Sequence, residues 1–215
     1  MQSPQSAPLN SPAATPSQTP SIESIKTSQD WFDQASKKAK NKDYKGAIED
    51  YTKAIALNPY YVDAYYNRGN SRLPLNDIKG AVEDYSKTIE LKPDYTDAYI
   101  ARGISRSNSS NDKGAIEDYN KAIELKPANS LSLLIRGTLL SKLSNYKGAV
   151  KDYTKVIELN PDNATIAYEQ RAHAYEVLKE NDKAIADYQK AADLYQKQGN
   201  TKDYQEALEQ IKKLQ

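Results

Sequence analysis

Residues 46–59 read GAIEDYTKAIALNP, and residues 114–127 repeat them almost letter for letter as GAIEDYNKAIELKP. In the first copy Ala47, Tyr51 and Ala54, with isoleucines between them, recur at steps of three and four, the spacing of one apolar helix face. The proline that closes each copy cannot continue a helix and disfavours helical backbone at the preceding residue. Each copy therefore predicts an amphipathic helix that ends just before its proline.

The same residue types return along the whole chain with a period of 34 residues. The prolines of this period are Pro59, Pro93, Pro127 and Pro161, and the tyrosines are Tyr51, Tyr85, Tyr119, Tyr153 and, one residue late, Tyr188. A second stretch with helical spacing precedes each copy, for example residues 62–73. Each period is therefore predicted to be two antiparallel helices, and such units become stable only when they stack on one another.

These units resemble the tetratricopeptide repeat, a helix–turn–helix unit of the same period. In the second unit Tyr65, Gly69, Ala81, Tyr85 and Pro93 stand where that family has a bulky residue, a small residue, alanine, an aromatic residue and proline. The style of the repeats is similar to bacterial, particularly cyanobacterial, members. The resemblance implies an all-α fold, a right-handed superhelical solenoid of antiparallel helix pairs. Its five predicted repeats are residues 28–61, 62–95, 96–129, 130–163 and 165–198.

The two ends of the array are predicted to differ. Residues 201–214 form an amphipathic capping helix, and Thr27 or Ser28 caps the first helix at its N-terminus. Residues 1–26 are predicted to be a disordered leader rich in Pro, Ser, Thr and Gln, with an extended spacer or an SH3-type ligand as alternatives. The compartment stays open: cytoplasmic, or extracytoplasmic if an N-terminal signal or anchor has been removed.

Composition restricts the function. The chain has no cysteine and one histidine, His173, so thiol chemistry and paired-histidine metal motifs are excluded, and we expect no cofactor and no metal site. Lys and Arg number 30 against 29 Asp and Glu, a balance that argues against binding nucleic acid. No apolar run is long enough for a membrane span. No phosphate loop or nucleophile–base pattern occurs, so the protein is predicted not to be an enzyme.

A second periodic series pairs arginine with aspartate. Both residue types fall near the predicted seam between the two helices of a unit, where we expect buried or half-buried ion pairs that stabilise the fold. An anion-binding site is the alternative, because the planar arginine fork suits anions. The series consists of Arg68, Arg102, Arg136 and Arg171, with Asp50, Asp84, Asp118, Asp152 and Asp187.

In the tetratricopeptide family the first helices of the pairs line a concave groove. The resemblance implies that the predicted groove here is largely apolar, which favours an extended or helical peptide as ligand, with two asparagines bonding its backbone. The residues expected to line it are Phe32, Tyr66, Asn67, Asn70, Ile100, Ile104, Leu131, Leu134 and Ile135. Alternatively, some of them belong to the ordinary core.

The sequence thus predicts a protein-interaction scaffold that captures a peptide or protein segment and helps to assemble a larger complex. A self-associating structural oligomer, formed through the array ends or the convex face, is the alternative. Some family members bind acidic C-terminal tails of chaperones through a clamp of Lys, Arg and Asn. Neither possible frame supplies that clamp, since Phe32 and Tyr66 stand where its first lysine belongs, so this type of partner is predicted to be excluded.

Overall fold

A computed structural model describes residues 26–215, which contain eleven α-helices and no strand. Ten helices form five pairs, each with an A helix followed by a B helix. The A helices are α1 (Ser28–Lys40), α3 (Val62–Arg72), α5 (Thr96–Asn108), α7 (Ser130–Lys142) and α9 (Thr165–Val177). The B helices are α2 (Tyr44–Leu57), α4 (Ile78–Leu91), α6 (Asp112–Leu125), α8 (Tyr146–Leu159) and α10 (Asn181–Lys197), and α11 (Thr201–Leu214) follows them. Apart from its last residue, the predicted leader lies outside the described residues.

Local chemistry explains where the helices begin. Thr27 caps α1: its hydroxyl accepts the Asp30 backbone N–H, while the Asp30 carboxylate accepts the Thr27 backbone N–H. Four of the five B helices begin after an Asp or Asn whose side chain accepts the N–H of the glycine three residues on, as Asp43 does from Gly46 at 3.0 Å. The two helices of a pair are thereby joined through a tight, repeated turn.

The core of each unit is a tyrosine packed onto a small residue. Tyr85, Tyr119 and Tyr153 are fully buried, and their rings lie against the glycines of the paired A helices. A Cβ on Gly103 would stand 2.8 Å from Cε1 of the Tyr119 ring. Glycine therefore lets the A helix approach the ring closely, despite its low helix propensity.

The helices stack in chain order, each packing on the one before it. At the C-terminal end Ile211 of α11 packs into a cluster with Ala172, Ala184 and Tyr188 of the fifth pair. The predicted all-α solenoid of five repeats with a capping helix is therefore confirmed. In the described part of the chain, no helix is long and apolar enough to cross a membrane.

Candidate functional site

The arginine series ties three successive helices together. Arg68 on α3 donates from Nε and Nη2 to the carboxylate of Asp84 on α4, at 2.6 Å for the shortest contact, and from Nη1 to Thr52 on the preceding α2 at 3.0 Å. Its side chain is 13% exposed and that of Asp84 is 4% exposed. The equivalent sets are Arg102 with Asp118 and Ser86, Arg136 with Asp152 and Asn120, and Arg171 with Asp187 and Thr154.

The hydroxyl or amide acceptor on the preceding unit was missed by sequence reasoning. It is the residue directly after each periodic tyrosine, so the same 34-residue period could have identified it. The guanidinium group of each of these arginines donates to acceptors on the helix before it and on the helix after it. Its hydrogen-bond donors are therefore already used within the protein. That arrangement suits a series of structural ion pairs rather than a site for an external anion. We call this series the ladder: Arg68, Arg102, Arg136 and Arg171 with Asp84, Asp118, Asp152 and Asp187.

Among the described residues no helix pair precedes the first unit, and the ion pairs of this unit differ from the others. Gln34 stands in place of the arginine and donates to Asp50 Oδ2 at 2.7 Å, while Lys38 Nζ lies 2.7 Å from the same oxygen. Burial alone would raise the pKa of Asp50, but the hydrogen bonds from Lys38, Lys53 and Gln34 outweigh it and hold that pKa below its ordinary value.

The groove of the first two units is filled by aromatic rings of the chain itself. Phe32 stacks on Tyr61, with ring centroids 4.8 Å apart, and the ring centroid of Tyr66 lies 5.0 Å from that of Tyr95. Tyr61 and Tyr95 are each the last residue of their unit. Little open apolar surface is left for a ligand at these two positions.

The two asparagines expected to bind a ligand backbone are engaged inside the protein. The side-chain oxygen of Asn70 accepts from the Tyr85 hydroxyl at 2.8 Å, and the amide of Asn67 donates to the Asp63 carbonyl at 2.8 Å. Asn67 and Asn70 are half-buried. Their remaining polar atoms are the only part of them that a ligand could use.

Ile100 lies deeper than a groove residue should. It is 6% exposed and packs with Tyr99 and Ala122, so it contributes to the core of the third unit, as the alternative interpretation allowed. Its neighbour Ile104 is half-buried and occupies the place that Asn70 has one unit earlier. As a result the buried hydroxyl of Tyr119 has no hydrogen-bond partner among the described residues.

The fourth unit holds the open part of the groove. Leu134 and Ile135, together with Thr138, Ile166 and Lys142, line a largely apolar cavity of about 280 Å³. Leu131, one turn before them on α7, is 54% exposed, and Ile166 on α9 is 55% exposed. Leu131, Leu134 and Ile135 share one face of α7, because side chains three and four residues apart on a helix are neighbours. Ile166 lines the same cavity as Leu134 and Ile135 and extends this apolar surface. We call this surface, Leu131, Leu134, Ile135 and Ile166, the apolar slot.

A second cavity, of about 430 Å³, adjoins the apolar slot and shares Leu134 and Ile166 with it. Its far wall is polar and includes Tyr195 and Asp203. The Tyr195 hydroxyl donates to Glu169 at 2.7 Å. Burial, this hydrogen bond and the negative charges of Glu169 and Asp203 raise the pKa of Tyr195. We call two carboxylates the acidic wall: Asp203, which lines this cavity, and Glu169, which is bonded to the lining residue Tyr195.

The single histidine lies outside this site. His173 is exposed on α9, with its ring centroid 6.5 Å from that of Tyr146. Among residues 26–215, no group of three or more His, Asp or Glu side chains is arranged to hold a metal ion.

Comparison with known families places the repeats along most of the chain. A family model described as TPR repeat matches residues 38–75. Models described as tetratricopeptide repeat match residues 62–95, 96–129 and 135–199. No curated protein matches the sequence significantly.

Several solved structures share the fold. The MamA protein superposes with a TM-score of 0.75 at 23% identity, covering 81% of this chain and 95% of its own. YrrB, described as a TPR protein with an unusual peptide-binding site, gives 0.72 at 21% identity and covers 85% and 91%. The first TPR of Spaghetti (RPAP3), bound to the HSP90 peptide SRMEEVD, gives 0.53 at 26% identity and covers 55% and 94%.

Proposed function

Because the chain belongs to the tetratricopeptide repeat family, a family of protein-interaction scaffolds, we propose that it captures a peptide segment of another protein in its A-helix groove. The ligand segment lies along the A helices and is anchored at the fourth and fifth units. By holding that segment the chain contributes to a larger complex, without catalysis of its own.

The observation that carries this proposal is the apolar slot. Leu134, Ile135 and Ile166 border an open cavity of about 280 Å³. Ile166 is more than half exposed, and so is Leu131, which lies one turn before Leu134 and Ile135 on α7. Contiguous exposed apolar surface beside a cavity is typical of sites that bind a partner. In the first two units the rings of Tyr61 and Tyr95 pack on Phe32 and Tyr66, so the proposal assigns the anchoring contacts to the apolar slot.

Area burial gives the scale of the interaction. Fully burying a Leu or Ile side chain contributes about 1.5–3 kcal/mol, so covering two side chains that are half exposed already contributes about 1.5–3 kcal/mol together. Entry of one ligand side chain into the cavity adds a similar amount. The sum fits a reversible, moderate affinity rather than a permanent assembly.

A random-peptide display library panned against residues 1–215 tests the proposal. The double variant Leu131→Ser with Ile166→Ser removes apolar surface without adding charge, and both sites are exposed enough for the fold to survive. The matched control is Leu57→Ser with Leu159→Ser, two exposed leucines near the ends of B helices.

Selected peptides are expected to bind the chain and the control equally and to bind the slot variant at least about tenfold more weakly, the loss of about 1.4 kcal/mol. Equal binding to all three proteins, with unchanged circular dichroism, would refute the proposed groove.

A further inference from the structure

The two adjoining cavities of the groove differ in character. The cavity at the apolar slot is lined by Leu134, Ile135, Leu139 and Ile166, with Ser107, Thr138 and Lys142 as its polar lining residues. The neighbouring cavity, which shares Leu134 and Ile166, has polar groups on its far side, among them Asp203 and a tyrosine bonded to Glu169. A ligand segment that crosses from one cavity to the other therefore meets apolar surface first and carboxylates next.

The carboxylates of the acidic wall are not neutralised by the protein. Within residues 26–215 neither Glu169 nor Asp203 has a Lys or Arg partner, and Glu169 accepts only the neutral hydroxyl of Tyr195. Asp203 interacts with Asn200, an uncharged amide. Residues 1–25 contain no Lys or Arg, so they cannot supply a cationic side chain either.

Lys142, the basic side chain among the lining residues of the apolar cavity, is already paired. Lys142 lies 3.0 Å from Asp112 of the preceding unit, and this ion pair satisfies its charge. The ladder arginines are likewise bonded to the ladder aspartates. The open part of the groove therefore presents two half-buried carboxylates without a matching positive charge among the described residues.

Resting on the function proposed above, we propose that the ligand is a basic–apolar peptide: one apolar side chain enters the apolar slot, and a neighbouring Lys or Arg side chain reaches the acidic wall. The aliphatic stem of the Lys or Arg covers Ile166, and its charged head meets Glu169 and Asp203. The electrostatic attraction between a ligand cation and carboxylates is stronger at a half-buried site than at an open surface, because water screens the charges less at the half-buried site.

The same charge pattern sets the specificity. An acidic peptide brings like charges next to Glu169 and Asp203, and such a pairing is unfavourable. A neutral apolar peptide keeps the slot contact but leaves the two carboxylates partly desolvated without a partner. The chain is thus expected to rank basic–apolar peptides first, neutral ones second and acidic ones last.

The experiment uses the peptides selected from the display library on the full chain. The selected sequences are expected to carry an apolar residue with a Lys or Arg close to it. For one such peptide, synthetic versions with Lys, Gln or Glu at that position are compared by fluorescence anisotropy. The Lys version should bind about tenfold more tightly than the Gln version and lose this advantage at high salt.

The double variant Glu169→Gln with Asp203→Asn removes both charges, and the amide oxygen introduced by the first substitution can still accept the Tyr195 hydroxyl. It should bind the Lys and Gln peptides equally, while Glu49→Gln with Glu117→Gln, a loss of two negative charges on exposed B-helix positions, keeps the tenfold preference. Equal affinity of the unmodified chain for the Lys and Gln versions would overturn the basic–apolar ligand.

The outcomes separate the two proposals. If selected peptides lose affinity for the Leu131→Ser, Ile166→Ser variant but show no preference for Lys, the groove function stands and the charge inference fails. If their binding is insensitive to that variant, or if no peptide is selected, both fail.

Discussion

The first two units and the fourth unit have the same pattern of paired helices, but the groove is filled in the first two and open in the fourth. In the first two units the chain fills its own groove, with Tyr61 on Phe32 and Tyr95 on Tyr66. In the fourth unit Leu134 stands at the position of Phe32 and Tyr66, and Asn163 stands at the position of Tyr61 and Tyr95. Leu134 and Asn163 both line an open cavity. In the third unit this position is also an asparagine, Asn129, yet Ile100 is buried, so the missing ring contributes to the open groove but does not determine it alone.

The units also differ in how firmly the ladder is held. Asp84 and Asp118 each have two arginine partners, the second being Arg72 or Arg106 one turn further along the A helix. Among the residues that the structure describes, Asp152 has Arg136 alone, since Leu140 stands where the second arginine belongs. The second and third units are therefore doubly secured, and the fourth unit, which contains the open groove, is not.

The largest expected effect follows from this difference. Arg136→Ala leaves the buried Asp152 without its cation and should lower the free energy of unfolding by about 3–5 kcal/mol. Arg102→Ala leaves Asp118 with Arg106 and should cost about half as much. Urea denaturation of both variants measures the gap, and equal losses would contradict the role given to the second arginine.

The aromatic filling of the first unit is tested by Tyr61→Ala. Loss of the stacked ring uncovers Phe32 and should lower the free energy of unfolding by about 1–2 kcal/mol. The adjacent Tyr60 is 78% exposed, so Tyr60→Ala is the matched control and should change stability by less than about 0.5 kcal/mol. Thermal or urea unfolding compares the two, and similar losses would show that Tyr61 does not act as a filler.

The reverse change closes the open groove. Asn163→Tyr places a tyrosine at the last position of the fourth unit, as Tyr61 and Tyr95 do in the first two units. Stability should change by less than about 0.5 kcal/mol, because the site is exposed. Affinity for a display-selected peptide should fall about tenfold, as the ring occupies the ligand's space. Calorimetric titration measures this, with Asp162→Tyr as the control that leaves the affinity unchanged.

The smallest effect concerns pH and the first unit. The folded pKa of Asp50 lies below its ordinary value of 3.8, so its ionised form stabilises the fold. That contribution is complete well above this value and is lost as the pH falls through the lower folded pKa. The stability difference between the chain and Asp50→Asn should therefore be constant near neutral pH and shrink below about pH 4. A difference that stays constant down to about pH 2 would contradict this.

The fold could be predicted from the sequence because residue types that recur with a fixed period determine it. These residues can be identified without knowing how the units pack against one another. The paired helices, the helix ends before the prolines and the choice of Thr27 or Ser28 as the first cap all follow from spacing and residue type. Ile100 was expected in the groove and is buried, because its exposure depends on how closely neighbouring A helices approach. The spacing of residues along one helix does not predict the separation between neighbouring A helices.

The open groove was only partly predictable for the same reason. Leu131, Leu134 and Ile135 are visible as an apolar run on one helix, but Ile166 was overlooked. Asn163, which stands where the first two units have a tyrosine, and Ala164, the extra residue between the fourth and fifth units, line the adjoining cavity. The ring partners of Phe32 and Tyr66 lie in the loops, which the helix pattern did not assign to the groove.

The most direct test is the NMR titration of the isotope-labelled chain with a display-selected basic–apolar peptide. The predicted result is that chemical-shift changes concentrate at Leu131, Leu134, Ile166 and Glu169, while Phe32, Tyr61 and the B helices stay unchanged. Changes centred on the aromatic first two units, or on the B-helix surface, would contradict the account.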